Sequence, residues 1–133
     1  MKKTIEEIAR IDGRYSPSAI HFIYEGLGYA VRNNIQQTVE DKTPKHVSGQ
    51  ELSMGIGELA RQKWGLLAKM VFNSWGVSKT RDFGEIVYMM IEHKWMSTQP
   101  EDKIEDFDNV YDFEQFFNKE YKFEINTDKS VKQ

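Results

Sequence analysis

The sequence predicts one mainly α-helical domain with a small β element at its C-terminal side, an α+β fold with its elements in winged-helix-like order. Three observations predict it. Helix-start signatures recur along the chain, each followed by apolar residues at helical spacing. The only strand signals, WMSTQ (95–99) and YKFEIN (121–126), come late. A length of 133 residues, with 39% hydrophobic and 13% aromatic side chains, suffices for one buried core. The globular domain is expected over 1–126, and 127–133 as a frayed tail.

The elements follow in order. KKTIEEIARID reads as a short helix stopped by Gly13. In YSPSAI, Ser16 caps, Pro17 takes N1, and Tyr15 staples to Ile20; the stripe Ile20, Ile23, Leu27, Val31, Ile35 then marks a helix over 17–36. Residues 37–47, polar and holding Pro44, read as a loop. The next stretch, KHVSGQEL, gathers His46, Ser48, Gln50 and Glu51 as if for chemistry. Ser48 and Glu51 form an S-x-x-E capping box, with Val47 and Leu52 at the staple positions, so the cluster reads as a helix start over 48–64. His46 is left over, as a loop residue, a cap donor or a pH-sensitive contact. GLLAKMVFNSWG reads as a separate helix over 66–75 rather than a continuation. Thr80 or Asp82 begins another, running to 94, with Phe83, Ile86, Val87, Met90 and Ile91 inward. Residues 98–109 read as an acidic loop. Asp112 caps a last short helix with Gln115 at N3 and Tyr111 stapled to Phe116. Glycines inside these helices, Gly26, Gly28, Gly55, Gly57 and Gly84, predict close helix–helix approach, with a ligand groove as the alternative.

Composition excludes several functions. With no cysteine, disulfides, thiol catalysis and thiolate zinc sites are ruled out. No stretch reaches the roughly 18 consecutive apolar residues of a membrane span. Lys2 and Lys3 are followed by Glu6 and Glu7 rather than an apolar run, so no signal peptide is expected and the expected location is cytoplasmic. Residues 1–97 hold 13 Lys and Arg against 11 Asp and Glu, whereas 98–133 hold 5 against 10, within a net charge of −3. That acidic C-terminal third is not the footprint of a strong nucleic-acid binder.

Catalytic and cofactor motifs find little support. His21 and Glu25, at i and i+4, share a helix face, but no second His-bearing motif accompanies them and HExxH is absent. There is no G-x-S-x-G, and GLG and GIG lack the third glycine and the preceding strand of a phosphate cradle. Asp82-Phe83-Gly84 matches the kinase triplet, but the rest of a kinase cannot fit in this length. No catalytic residue, cofactor or metal is assigned.

HVSGQEL, ELARQKWGLLA, SWGV, DFGEIV and NVYDFEQFF together resemble a family of short bacterial conserved hypothetical proteins first catalogued in planctomycetes and verrucomicrobia. The likeness covers about residues 12–117 and supports the element boundaries. One departure is visible: a proline is expected after the first Trp-Gly, where Leu66 stands. The resemblance implies no activity.

Binding is therefore the expected function, with an unknown protein partner or a homodimer ahead of nucleic acid. Late aromatics beside an acidic segment, Trp95 and Phe107 with Asp106 and Asp108, are the candidate partner-binding region, suited to a basic partner. In the nucleic-acid alternative the helix–turn–helix order would set Lys79, Arg81 and Lys94 against phosphates, but Asp82, Glu85 and Glu92 on the same helix carry the wrong sign.

Overall fold

Several helices begin where a side chain satisfies their free amides and end at a residue of positive φ. The computed structural model describes residues 2–37 and 47–119. Helix α1 (Ile5–Asp12) starts in a capping box in which Thr4 and Glu7 exchange hydrogen bonds of 3.1 and 2.9 Å. Gly13, at φ 81°, stops it by donating to the Ala9 carbonyl. Helix α2 (Pro17–Gln37) opens on Pro17 as expected, with Tyr15 and Ile20 both buried at its foot.

Helix α3 (Gly49–Trp64) carries the expected cap: Glu51 donates its N–H to the Ser48 hydroxyl at 3.1 Å, and the Ser48 N–H donates back to its carboxylate at 3.0 Å. It lies close along α2. A Cβ on Gly26 would stand 2.6 Å from Ile56 Cγ1, and one on Gly55 would stand 2.9 Å from the Ala30 Cβ, so both glycines permit the approach. Gly57 and Gly84 serve other neighbours, the rings of Tyr111 and Phe107, and Gly28 meets only the Arg32 side chain.

The chain breaks at Gly65 (φ 55°, ψ −127°), a conformation open to glycine, and passes through a 3-10 turn (Gly65–Leu67) into α4 (Ala68–Ser74). The separate helix thus forms with Leu66 where a proline was expected, because the glycine backbone alone makes the break. Helix α4 inserts Phe72 into the centre of the core, where its ring meets Phe22, Trp64, Trp75, Phe83, Phe113 and Phe117 at centroid distances of 5.4–6.3 Å.

Helix α5 (Thr80–Glu92) is started by Asp82, which accepts from the Ser78 and Lys79 amides and, at 2.6 Å, from the Tyr15 hydroxyl. It ends in a Schellman motif. Lys94 is left-handed (φ 71°), its N–H bonds the Ile91 carbonyl, and the Trp95 N–H bonds the Met90 carbonyl. The chain then returns along α5 to a 3-10 turn (Ile104–Phe107) packed on α5 and α3. The Thr80 hydroxyl anchors this return, donating to the Phe107 carbonyl and accepting from the Val110 amide. Asp112 caps the last helical turns by accepting from the Gln115 N–H at 3.0 Å, and a π turn (Gln115–Lys119) follows.

The expected β element is overturned. Among the described residues there is no strand, and hence no wing: the fold is all-helical there. Residues 95–99 leave a left-handed turn and enter a turn closed by Asp102, which accepts from the Gln99 amide. No neighbouring strand offers them a ladder, and a lone extended segment has nothing to pair with. The expected strand 121–126, the tail 127–133, most of the 37–47 loop and His46 lie outside the described residues.

Candidate binding cleft

A cleft of about 630 Å³ opens between α2, the start of α3, α5 and the returning 94–107 segment. Its apolar walls follow from helical spacing. Leu27 and Val31 project from α2, Leu52 from α3, and Val87 and Ile91 from α5. Four aromatic residues, Tyr24, Tyr88, Trp95 and Phe107, complete the walls, and Tyr24 is 43% exposed.

Trp95 is held on three sides. Its indole N–H donates to the Lys3 carbonyl at 2.8 Å, the Lys2 ammonium stands 4.2 Å over its ring, and Tyr24 meets it edge-on at 5.8 Å. The aromatic face thus already takes a cation from its own chain.

Polar groups gather on the returning segment: Thr98, Asp102, Lys103 and Asp106, with Lys94 at the end of α5. Asp106 accepts from the Lys103 amide at 3.3 Å, and Asp102 from Thr98 as well as Gln99. The Tyr88 phenol is pushed above its usual value, first by burial. A Thr98 hydrogen bond opposes the shift, while the charges of Asp102, Asp106 and Glu105 add to it. Two carboxylates, Asp102 and Asp106, thus share this part of the lining with Tyr88 and Lys103.

The structure brings together Trp95, Phe107 and Asp106 of the expected partner region, since all three line the cleft. Phe107, however, is a core residue, 4% exposed, with its ring over Gly84 and Gly49. Asp108 is elsewhere, 2.8 Å from Arg81. Of the expected phosphate contacts, Arg81 is engaged by both Glu85 (3.0 Å) and Asp108. Lys79 precedes α5 and Lys94 follows it, roughly 20 Å apart at helical rise. Tyr24 and Tyr88 had no sequence signal of their own, and Val31 had only its place in the α2 stripe. They sit within ordinary helical stripes, and only the extra width of those stripes sets them apart.

His21 and Glu25 do not converge either. His21 bonds Glu6 at 3.0 Å, and Glu25 faces Lys63 at 3.7 Å. Among the described residues, no cluster of three His, Cys, Asp or Glu is placed to hold a metal ion, and no helix is long and apolar enough to cross a membrane. Neither a family model, nor a curated protein, nor a solved structure matches the chain.

A second apolar feature lies apart from the cleft. Leu66, Leu67 and Met70, at the 3-10 turn and the start of α4, are 47%, 57% and 66% exposed.

Proposed function

We propose that this chain is a non-catalytic protein-binding module that seats an apolar segment of its partner in the α2–α5 cleft. The observation that carries the reading is the cleft itself. Its volume lies in the range of side-chain and small-ligand sites. Its walls are aliphatic and aromatic, and two of its rings are braced, Trp95 by Lys2 and Lys3 and Tyr24 by Trp95. Braced aromatic walls lose little freedom on binding, which favours them as anchors. The groups that first suggest chemistry, Ser48 and Glu51, are engaged with helix amides, which supports a binding role over a catalytic one. The engagement of Arg81 by two carboxylates favours a protein over a nucleic acid.

Photo-crosslinking tests this. A crosslinking residue placed at Tyr24, on the cleft, should capture a discrete protein partner, and one at Met70, on the separate patch, should not. Capture at Met70 alone, or only of a second copy of the chain, would count against the reading.

A further inference from the structure

We infer that the segment seated in the cleft is basic as well as apolar, placing aliphatic side chains between α2 and α5 and a lysine or arginine at the Tyr88–Asp106 end. This rests on the protein-binding reading above and names the chemistry of the partner.

The argument is one of charge complementarity along a cleft with unlike ends. Asp102, Lys103 and Asp106 line one side of the cleft, and the 101–106 segment that carries them holds Glu101, Asp102, Glu105 and Asp106 against Lys103. Glu101 and Glu105 are exposed and have no ion pair among the described residues. Asp102 and Asp106 share the lining with Tyr88, and their charges, with that of Glu105, help hold its phenol above the usual value. Lys94, the remaining cation of the lining, stands six residues further on, roughly 9 Å along the axis of α5. Lys103 is exposed, and its own amide is bonded to Asp106. A cation entering at the Tyr88 end thus meets carboxylates and aromatic faces, and the Lys2–Trp95 stack shows that such a face accepts an ammonium. An anionic segment would instead meet Asp102 and Asp106 in the lining, with Glu101 and Glu105 carried beside them on the same segment.

Three synthetic amphipathic helical peptides test the inference on the intact chain: one of leucine and lysine, one of leucine and glutamate, and one of leucine and glutamine. Binding is followed by titration calorimetry and by the Trp95 indole resonance. The leucine–lysine peptide should bind at least about tenfold tighter than the leucine–glutamate peptide at low salt. In the Glu105→Gln/Asp106→Asn variant that preference should fall below about threefold, because the Asn oxygen still accepts from Lys103 while the charge is gone. Neutralising Glu58 and Glu114 elsewhere should leave the preference intact. A preference unchanged by Glu105→Gln/Asp106→Asn, or equally reduced by the distant pair, overturns the inference. If all three peptides reach Trp95 with equal affinity, the inference falls and the cleft reading stands. If none reaches it, both fall.

Discussion

Gly57 lies directly beneath the Tyr111 hydroxyl: a Cβ at this position would stand 2.5 Å from that oxygen and 2.7 Å from the Phe116 ring. The hydroxyl donates at 2.6 Å to the Ser53 carbonyl one turn earlier on α3, and the Tyr111 and Phe116 rings stack with centroids 4.0 Å apart. The C-terminal helical turns are thereby clamped to α3 through a spot where that helix has no side chain. Gly57→Ala gains about 1 kcal/mol of helix propensity but forces an overpacked contact costing about 1–3 kcal/mol. The clash falls on backbone-anchored rings, so the loss should win. Urea denaturation should show a net destabilisation of up to about 2 kcal/mol, and a stabilised variant would contradict the clamp.

One turn earlier on α3, Ser53 is fully buried and its hydroxyl has no hydrogen-bond partner. A buried, unmatched polar group costs about 1–3 kcal/mol. Ser53→Ala removes it and keeps the backbone carbonyl that Tyr111 uses. The urea midpoint should rise, by about 1 kcal/mol in stability, with an unchanged denaturant slope; a lowered midpoint would mean that the hydroxyl has a partner in solution.

Lys94 closes α5 in the left-handed region, where a side chain costs about 1 kcal/mol that glycine avoids. Lys94→Gly should therefore raise the melting temperature even though it deletes a residue lining the cleft. A drop would show that the lysine side chain contributes more than the backbone strain removes.

Glu85 joins Arg14 (3.1 Å) and Arg81 (3.0 Å), and these guanidinium groups, Arg14 first, hold its carboxyl below the ordinary 4.5. A depressed folded value means that the stabilisation is complete above pH 4.5 and is lost as pH falls through the folded value. Glu85→Gln should cost about 0.5–1 kcal/mol at neutral pH, and the gap should close as pH falls below 4.5 and through the folded value. Stability curves across that range check it; a gap constant with pH would assign the cost to packing instead.

The legible parts of this chain are those with local causes. Ser48 with Glu51, Pro17, Gly13 and Asp112 announce helix ends because a cap needs only residues within one turn of itself. The break at Gly65 was legible for the same reason, despite the missing proline. The segment after α5 was misread because WMSTQ alternates as a strand does, whereas what places it is the left-handed Lys94, the Trp95–Lys3 hydrogen bond and the Asp102 turn. The cleft was legible only in part. Trp95, Phe107 and Asp106 were found through local aromatic and acidic clustering, but Tyr24 and Tyr88 belong to helices far apart in sequence, and nothing local links them. Gly57 was read as a helix–helix contact, and only the structure shows a tyrosine and a phenylalanine ring over it.

The central claim is that binding occurs at the α2–α5 cleft, and the indole spectrum of the three tryptophans tests it most directly. Trp64 and Trp75 pack on each other with ring centroids 5.5 Å apart, beside Phe22 and Phe72 and away from the cleft lining, where Trp95 stands alone among the tryptophans. On addition of the leucine–lysine peptide, the Trp95 indole N–H signal should move while those of Trp64 and Trp75 hold still. Movement of Trp64 or Trp75 with a stationary Trp95 would contradict the account.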